Sequence, residues 1–408
     1  MKRVDVLVVG GGPAGSATAY HLARRGVDVL VVDKATFPRE KVCGDGLAPR
    51  GVKALLGMGV DPTEPGFVRI DGLRSFGLGV EMELPWPKLE AFPDYGLVRT
   101  RHDLDHLLLQ KAVKAGAIVW EGTDAIAPAM EGVWVTGASL RQNGSTQEVR
   151  ARFVVACDGA SSRFGQRAGI RRNPARPIGI AARRYFRSPR EQPTFFESWL
   201  DLQSEDALMP GYGWVFPVGD GVLNVGAGLL NTFRDFKGLS ARRVYEAFLA
   251  TLPSEWELTE ANAVGPLLSG PLPMGMNRRP LAAPGLLLAG DAAGVVNPFN
   301  GEGIAYAIES GELAAELLSE ALTRGRPGLA QVYPTLLRER YGRYYSLGRA
   351  FVRAIGHPWV MHASVRYGLP QRRLMAFLLR LMGNLSDGPR GSRADRIMSA
   401  LVSLAPER

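Results

Sequence analysis

The stretch Val4-Asp5-Val6-Leu7-Val8-Val9-Gly10-Gly11-Gly12-Pro13-Ala14-Gly15, with Asp33 beyond it, decides how this chain begins to fold. Val4 to Val9 is a short β-branched run closed by glycines, which predicts a buried parallel strand. Ala14 to Arg25 predicts a helix stopped by Gly26, and Val27 to Val32 predicts the next strand. The glycine turn therefore falls inside a βαβ unit. Gly10 permits the tight turn, Gly12 lets the backbone approach a pyrophosphate, and Gly15, just past Pro13 and Ala14, lets the helix pack on the strand. The free N–H groups and partial positive charge of the helix N-terminus favour phosphates there. Asp33, with Lys34 next to it, ends the second strand where a carboxylate can bind both ribose hydroxyls. A carboxylate at that point also disfavours a 2′-phosphate.

Two further glycine-acid motifs distinguish between the dinucleotides. Cys157-Asp158-Gly159 follows the buried strand predicted from Phe153 to Ala156. Gly290-Asp291-Ala292-Ala293 follows another from Leu286 to Ala289 and runs on to Asn300-Gly301-Glu302-Gly303. NAD needs only the first unit. FAD is longer and needs chain from elsewhere to hold its ribitol and ring. Asp291 is suited to accept from ribitol hydroxyls. The Gly301–Ile304 segment opens a helix, expected from Gly303 to Ala321, whose N-terminus would stabilise negative charge on a reduced ring. A lone Asp-Gly is usually a simple turn, but three such motifs in this order predict a redox flavoprotein.

At 408 residues the chain is long enough for several domains or for one nucleotide fold with an inserted sheet. Between Arg171 and Leu272 short alternating segments such as Trp214 to Pro217 and Leu223 to Leu229 predict an antiparallel sheet. Asp103 to Ala115 has helical spacing, and from Tyr333 the chain reads as helical, broken at Pro358, Pro370 and Pro389. These readings give α/β and β architecture. A Rossmann-type FAD-binding domain spans 1–70, 98–170 and 273–330. An antiparallel-sheet substrate domain spans 71–97 and 171–272, and a helical, arginine-rich region spans 331–408. No run of about 18 apolar residues predicts a transmembrane helix, and Asp5 interrupts the first apolar run, against a signal peptide. Cys43 and Cys157 form neither a CxxC pair nor a metal cluster, so no metal is expected and a cytoplasmic location follows. The tail from Gln331 holds 13 Arg, no Lys and four acids, an excess equal to the whole chain's +9. That predicts a basic patch facing anionic lipid or substrate rather than nucleic acid, with the protein peripheral on the cytoplasmic membrane. The tail also interleaves charge with apolar residues, as in Arg349, Phe351, Val352, Arg353 and Trp359, most of the apolar ones being expected to pack on the body.

The arrangement resembles the para-hydroxybenzoate-hydroxylase-like flavoproteins and, within them, the geranylgeranyl reductase family, over nearly the whole chain. The resemblance rests on Pro38-Arg39-Glu40-Lys41-Val42-Cys43-Gly44-Asp45-Gly46-Leu47 and on Tyr212-Gly213-Trp214-Val215-Phe216-Pro217, which is similar to the family's YxWxFP signature. Leu272-Pro273-Met274-Gly275 and Val296 to Ile304 add to it. The Cys-Gly-Asp-Gly form and the tail are similar to the actinobacterial branch that includes menaquinone reductases. The resemblance implies FAD contacts at Ala14, Asp33, Cys43, Gly44, Arg101 (reaching the phosphates), Ala125, Asp291, Gly303 and Ile304. It also implies saturation of an isoprenoid C=C bond, in the side chain of menaquinone or another prenyl lipid. Val42 and Asp45 depart from the family's commoner Pro and Gly.

An isolated trisubstituted alkene is a poor hydride acceptor, so its reduction needs hydride at one carbon and a proton at the other. Tyr212, Trp214, Phe216 and Pro217 are the expected substrate wall. Tyr212, Trp214 and Cys43 are the catalytic candidates, Cys43 as a possible acid or as a small buried residue filling its turn. The five histidines lack a catalytic context. No second GxGxxG unit is present, so electrons are expected directly from NAD(P)H or from ferredoxin or another carrier. The competing readings are a flavin monooxygenase or halogenase, although the Trp-x-Trp-x-Ile-Pro form is absent, and a prenyl-binding escort protein without redox work.

Overall fold

The computed structural model describes residues 2–204, 207–233 and 236–406. Glu407 and Arg408, which enter the tail's charge, lie outside the described residues. Lys2–Val9 is the centre of a parallel sheet, with Val29–Val32 on one side and Ser145–Ala156 on the other. Ile118–Trp120 and Leu286–Leu288 extend it in the same direction. Every residue of Val29–Val32 and of Leu286–Leu288 is buried, as a strand covered on both faces requires. Ser145–Ala156 is long enough to do two things: its first half pairs antiparallel with Trp134–Gln142 and its second half joins the parallel sheet. Helix Pro13–Ala23 packs against helices Arg101–Lys114 and Ile304–Thr323.

This sheet brings the three motifs together. Val9 is in register with Val32 and with Ala156, and Ala156 with Leu288. Because these strands are parallel, their carboxyl ends share one edge, where ligands bind in open α/β sheets. Gly10, Asp33, Cys157 and Gly290 lie at that edge although the sequence scatters them.

A seven-stranded sheet forms the second layer. Its order is Ala263–Pro273, Ile178–Arg187, Val222–Leu230, Gly211–Gly219, Phe195–Trp199, Gly72–Gly77 and Val80–Pro85. Only Phe195–Trp199 and Gly72–Gly77 run parallel. Side chains alternate across its faces. Val215, Leu223, Val225 and Ala227 form a core with helix Ala241–Leu249 through Val244 and Phe248, while Tyr212, Trp214 and Phe216 take the other face. Pro217, expected on the substrate wall with them, pairs with Leu223 and is corrected to the helix-backed face by this alternation.

The tail is helical, as expected. Tyr333–Ile355 buries Tyr333, Tyr341 and Tyr345, with Tyr333 and Tyr341 hydrogen-bonded to Ser310 and Glu309 of helix Ile304–Thr323. Pro358, expected as a break, opens the helix Pro358–Ala363, where its missing N–H costs nothing. A π-helical turn, Ser364–Gly368, leads to Arg372–Met382 and then Arg393–Leu404. The last helix starts at a capping box between Ser392 and Asp395, and Asp395 also holds Arg380 of the preceding helix. Arg349, which the tail's pattern suggested was part of an exposed basic surface, is buried.

Candidate active site

One hollow of about 950 Å³ runs from the first glycine turn, past the Cys43 loop, to the tail helices. Its walls include Gly10, Gly12, Pro13, Ala14, Asp33, Lys34, Cys43, Gly44, Arg101, Ala125, Asp158, Gly159, Asp291, Gly301, Gly303, Ile304, Tyr212, Trp214 and Phe216. Of the residues singled out from the sequence, Gly15 and Pro217 do not border it. Gly15 lies beneath the turn, where a Cβ would stand 1.8 Å from the Gly10 carbonyl oxygen. Only glycine allows helix and strand to approach so closely.

At the nucleotide end, Asp33 accepts the Gly11 N–H at 2.7 Å and the Ala35 N–H at 2.9 Å. Its carboxylate is thereby fixed beside the turn, with lone pairs left for a ribose. No side chain caps helix Pro13–Ala23 or helix Ile304–Thr323. Both therefore present uncommitted N–H groups at the cavity. Asp158 accepts the Phe164 N–H at 2.8 Å through one oxygen, while its other buried oxygen has no hydrogen-bond partner among the described residues. Arg101 borders the hollow, but its guanidinium is clamped by Asp105 at 2.6 and 2.7 Å. Arg39 is the cation over the glycine turn: it pairs with Asp105 at 2.8 Å, and its Nη2 lies 3.3 Å from where a Gly12 side chain would begin. Arg39 was not singled out from the sequence, because nothing local links it to a turn far behind it in the chain. Two uncapped helix ends, an acid fixed beside the glycine turn, a nearby guanidinium and a buried carboxylate at Asp158 suit the groups of FAD.

In the middle of the hollow a buried network carries the Cys43 loop. Asp45 adopts a φ of 65°, a left-handed conformation that costs a non-glycine residue about 1 kcal/mol or more. Its fully buried carboxylate accepts Tyr185 Oη–H at 2.6 Å, Asn224 Nδ2–H at 2.7 Å and the Arg101 N–H at 3.1 Å. Asn224 also donates to the Cys43 carbonyl at 2.9 Å and accepts the Trp214 indole N–H at 3.0 Å. Burial pushes the Asp45 carboxyl up to about 6, against the pull of Tyr185, Arg183, Asn224 and Arg101. Burial likewise raises the Cys43 thiol; the Arg101 guanidinium opposes this, the Asp45 carboxylate adds to it, and the Asp45 backbone N–H opposes it. The Trp214 ring lies where a Gly226 side chain would be, within 2.2 Å of its Cβ position, so that glycine seats the indole.

The far end is apolar. Phe351, Ile355, Met361, Val365, Leu369 and Met375 of the tail line it together with Leu200. On the outer surface nearby in sequence, Trp359 is 73% and Tyr367 71% exposed. Among the described residues no helix is long and apolar enough to cross a membrane, and no group of His, Cys, Asp and Glu is arranged to hold a metal.

Comparison with known proteins agrees with this geometry. Residues 3–341 match the model of the FAD binding domain family. The menaquinone reductase of Mycobacterium tuberculosis is 39% identical over 383 residues, covering 93% of this chain and 91% of the relative. The digeranylgeranylglycerophospholipid reductase of Thermoplasma acidophilum is 33% identical over 352 residues, 84% of this chain and 85% of that one. Among solved structures, a geranylgeranyl bacteriochlorophyll reductase-like protein from Thermoplasma acidophilum superposes with a TM-score of 0.80 at 27% identity, over 98% of this chain and all of that one. A flavin-dependent brominase, at 19% identity and a TM-score of 0.73 over 98% of both chains, shares the fold. The chain is thus an FAD-dependent oxidoreductase and belongs to the FAD binding domain family, among the prenyl-reducing flavoenzymes.

Proposed function

We propose that this protein saturates an isoprenoid C=C bond in the side chain of menaquinone. The observation that supports it most is the single hollow, whose polar end carries the nucleotide motifs and whose apolar end runs among the tail helices. Bound FAD, once reduced, supplies the hydride. The chain's own residues do the rest. Gly10, Gly12, Asp33, Arg39, Asp291 and the two helix ends hold the cofactor. Tyr212, Trp214 and Phe216 press the alkene toward the ring, and the apolar tail residues hold the prenyl chain and exclude water. Cys43 delivers the proton: burial and the Asp45 carboxylate keep the thiol neutral, and the Arg101 guanidinium, helped by the Asp45 N–H, offsets the charge of the thiolate left behind. Replacing it (Cys43→Ala) lowers kcat by about 100-fold or more while flavin stays bound; unchanged turnover would remove Cys43 from the mechanism.

The direct test is anaerobic incubation of the dithionite-reduced, flavin-loaded protein with menaquinone, read by mass spectrometry. We expect a gain of two hydrogens in the side chain. A menaquinone of unchanged mass, with digeranylgeranylglycerophospholipid reduced in the parallel reaction, would move the substrate to the phospholipids. In the cell the electrons come from an external donor, NAD(P)H or a ferredoxin-like carrier. We further propose that the protein docks on the membrane through the surface around Trp359 and Tyr367, flanked by the exposed Arg366, Arg372 and Arg373. A substrate dissolved in lipid then reaches the apolar end without crossing water.

A further inference from the structure

Phe351 and Ile355 turn one face of helix Tyr333–Ile355 to the hollow, while Arg349, Val352 and Arg353 turn a different face to a second pocket of about 160 Å³. Two other stretches, far away in sequence, close this pocket: the loop that carries Arg176, and Asn231 and Thr232 just past strand Val222–Leu230. The loop is held firmly. Pro174 and Pro177 bracket Arg176, and buried Asn277 donates to the Arg176 and Pro177 carbonyls at 3.3 and 2.9 Å. Asn231 is fixed as well. Its Oδ1 accepts the Ile178 N–H at 2.9 Å, which leaves its amide Nδ2 as a donor. The end of the helix is seated on the same turn, for a Gly356 side chain would begin 2.9 Å from the Thr232 carbonyl oxygen.

What the pocket offers is positive charge and hydrogen-bond donors. Arg176, Arg349 and Arg353 all border it, and no Asp or Glu does so among the described residues. Arg349 is buried and donates to Ser346, whereas Arg353 is exposed. The Thr232 hydroxyl oxygen is buried with no hydrogen-bond partner among the described residues. More cations stand nearby. Strands Arg171–Arg172 and Arg278–Arg279 pair so that Arg171 faces Arg279 and Arg172 faces Arg278, and like charges directly opposite one another are destabilising. Burial, with Arg353 and then Arg279 beside it, pulls the Arg176 guanidinium below its ordinary value. Burial, Arg176 and Arg353 pull the Arg349 guanidinium down to about 10. Guanidinium groups gathered from separate stretches of chain repel one another until an anion joins them. The C-terminal end of the helix supplies only about half a unit of negative charge, too little to balance them.

We propose that this pocket binds a phosphate group, either free or as a phosphomonoester. Planar guanidinium forks match phosphate oxygens in pairs, and the Thr232 hydroxyl and the Asn231 amide are donors for the remainder. The volume holds one such group with a few waters, at about 30 Å³ each, and is too small for a second nucleotide. No bond is made or broken. The occupant neutralises the cluster and braces the helix whose other face lines the apolar end of the hollow. The same chemistry reaches the protein from two sources, a soluble phosphate or the headgroup of an anionic lipid such as phosphatidic acid.

The test uses flavin-loaded protein, so that the cofactor site is filled. Inorganic phosphate is the probe, titrated calorimetrically against chloride of matched ionic strength. Wild type should bind a single phosphate with a Kd of about 1 mM or tighter. Arg353→Gln and Arg176→Gln should each weaken binding about tenfold or more, and Thr232→Val should weaken it without changing charge. Melting separates a binding role from a structural one. Without phosphate, Arg353→Gln should melt no lower than wild type, because a repulsion has gone; with phosphate it should melt lower. Vesicles of phosphatidic acid then identify the source. Release of bound wild type by soluble phosphate at constant ionic strength, with weaker binding by Arg353→Gln, would assign the pocket to the lipid headgroup. Vesicle binding that neither phosphate nor Arg353→Gln alters, alongside calorimetric binding, would assign it to the soluble ion. No heat of phosphate binding up to about 10 mM, or equal binding by wild type, Arg353→Gln and Arg176→Gln, would overturn the proposal.

Discussion

Asp33 binds two backbone N–H groups of the loops around it, so it shapes the site as well as standing where we propose the cofactor binds. Charged hydrogen bonds of this kind contribute about 1.5–3 kcal/mol each. Asp33→Ala is expected to weaken FAD binding by about 10- to 100-fold, measured as flavin fluorescence quenching on titration of the apoprotein; unchanged affinity would separate Asp33 from the cofactor. The place of Asp33 and Gly12 at the hollow could be read from the sequence because their signature is local: a turn, a strand and an acid at fixed spacing. Asp45 could not. Its partners Tyr185 and Asn224 are 140 and 179 residues away, and nothing in Cys43-Gly44-Asp45-Gly46 announces that this acid ties the seven-stranded sheet to the start of helix Arg101–Lys114. Arg101 shows a related difficulty. Its place beside the hollow was legible, but its clamp to Asp105 needs one helical turn to be considered together with the Cys43 loop.

Elements were more legible than side-chain roles. The helix expected from Ala14 to Arg25 is Pro13–Ala23, and Gly26 takes the positive φ, 74°, of a helix stop. The strands expected at Trp214 to Pro217 and Leu223 to Leu229 are the middles of Gly211–Gly219 and Val222–Leu230. Periodicity finds such segments, but it assigns a face only when the alternation is followed residue by residue, which is why Pro217 was placed on the wrong wall. The tail shows what composition hides. Its arginines do not act as one surface, since Arg349 is buried and Arg380 is spent on Asp395. Asp395 is a prediction at this scale. Hydrogen bonds from Ser392 and Ser386 and the Arg380 guanidinium hold its carboxyl well below the usual range, outweighing burial. A depressed carboxylate stabilises the fold above its unfolded pKa of about 3.9, and that contribution is lost as pH falls through the folded value. Acid should therefore release helix Arg393–Leu404 below about pH 4. Asp395→Ala, which strands Arg380, should cost about 3 kcal/mol at neutral pH. Both are measurable by denaturant unfolding, and a variant with wild-type stability and an unaltered acid limb would refute the assignment.

At the scale of the whole molecule, Trp359 and Tyr367 are exposed where the tail wraps the apolar end of the hollow. The double variant Trp359→Ala/Tyr367→Ala should bind anionic phospholipid vesicles about tenfold more weakly in co-sedimentation, and added salt should weaken wild-type binding further. Equal binding by both proteins would place the docking surface elsewhere. The convergence of the three motifs on one sheet edge has a different consequence, in the order of folding. The seat proposed for the flavin draws on residues near 10, 158 and 291, so no one stretch of the chain builds it alone, and its contacts close very long loops. The seat is therefore expected to form late, with flavin binding the assembled fold. By mass action it then withdraws finished molecules from the unfolding equilibrium. The yellow colour of a preparation is accordingly a gauge of its native fraction, readable without any assay of the reaction.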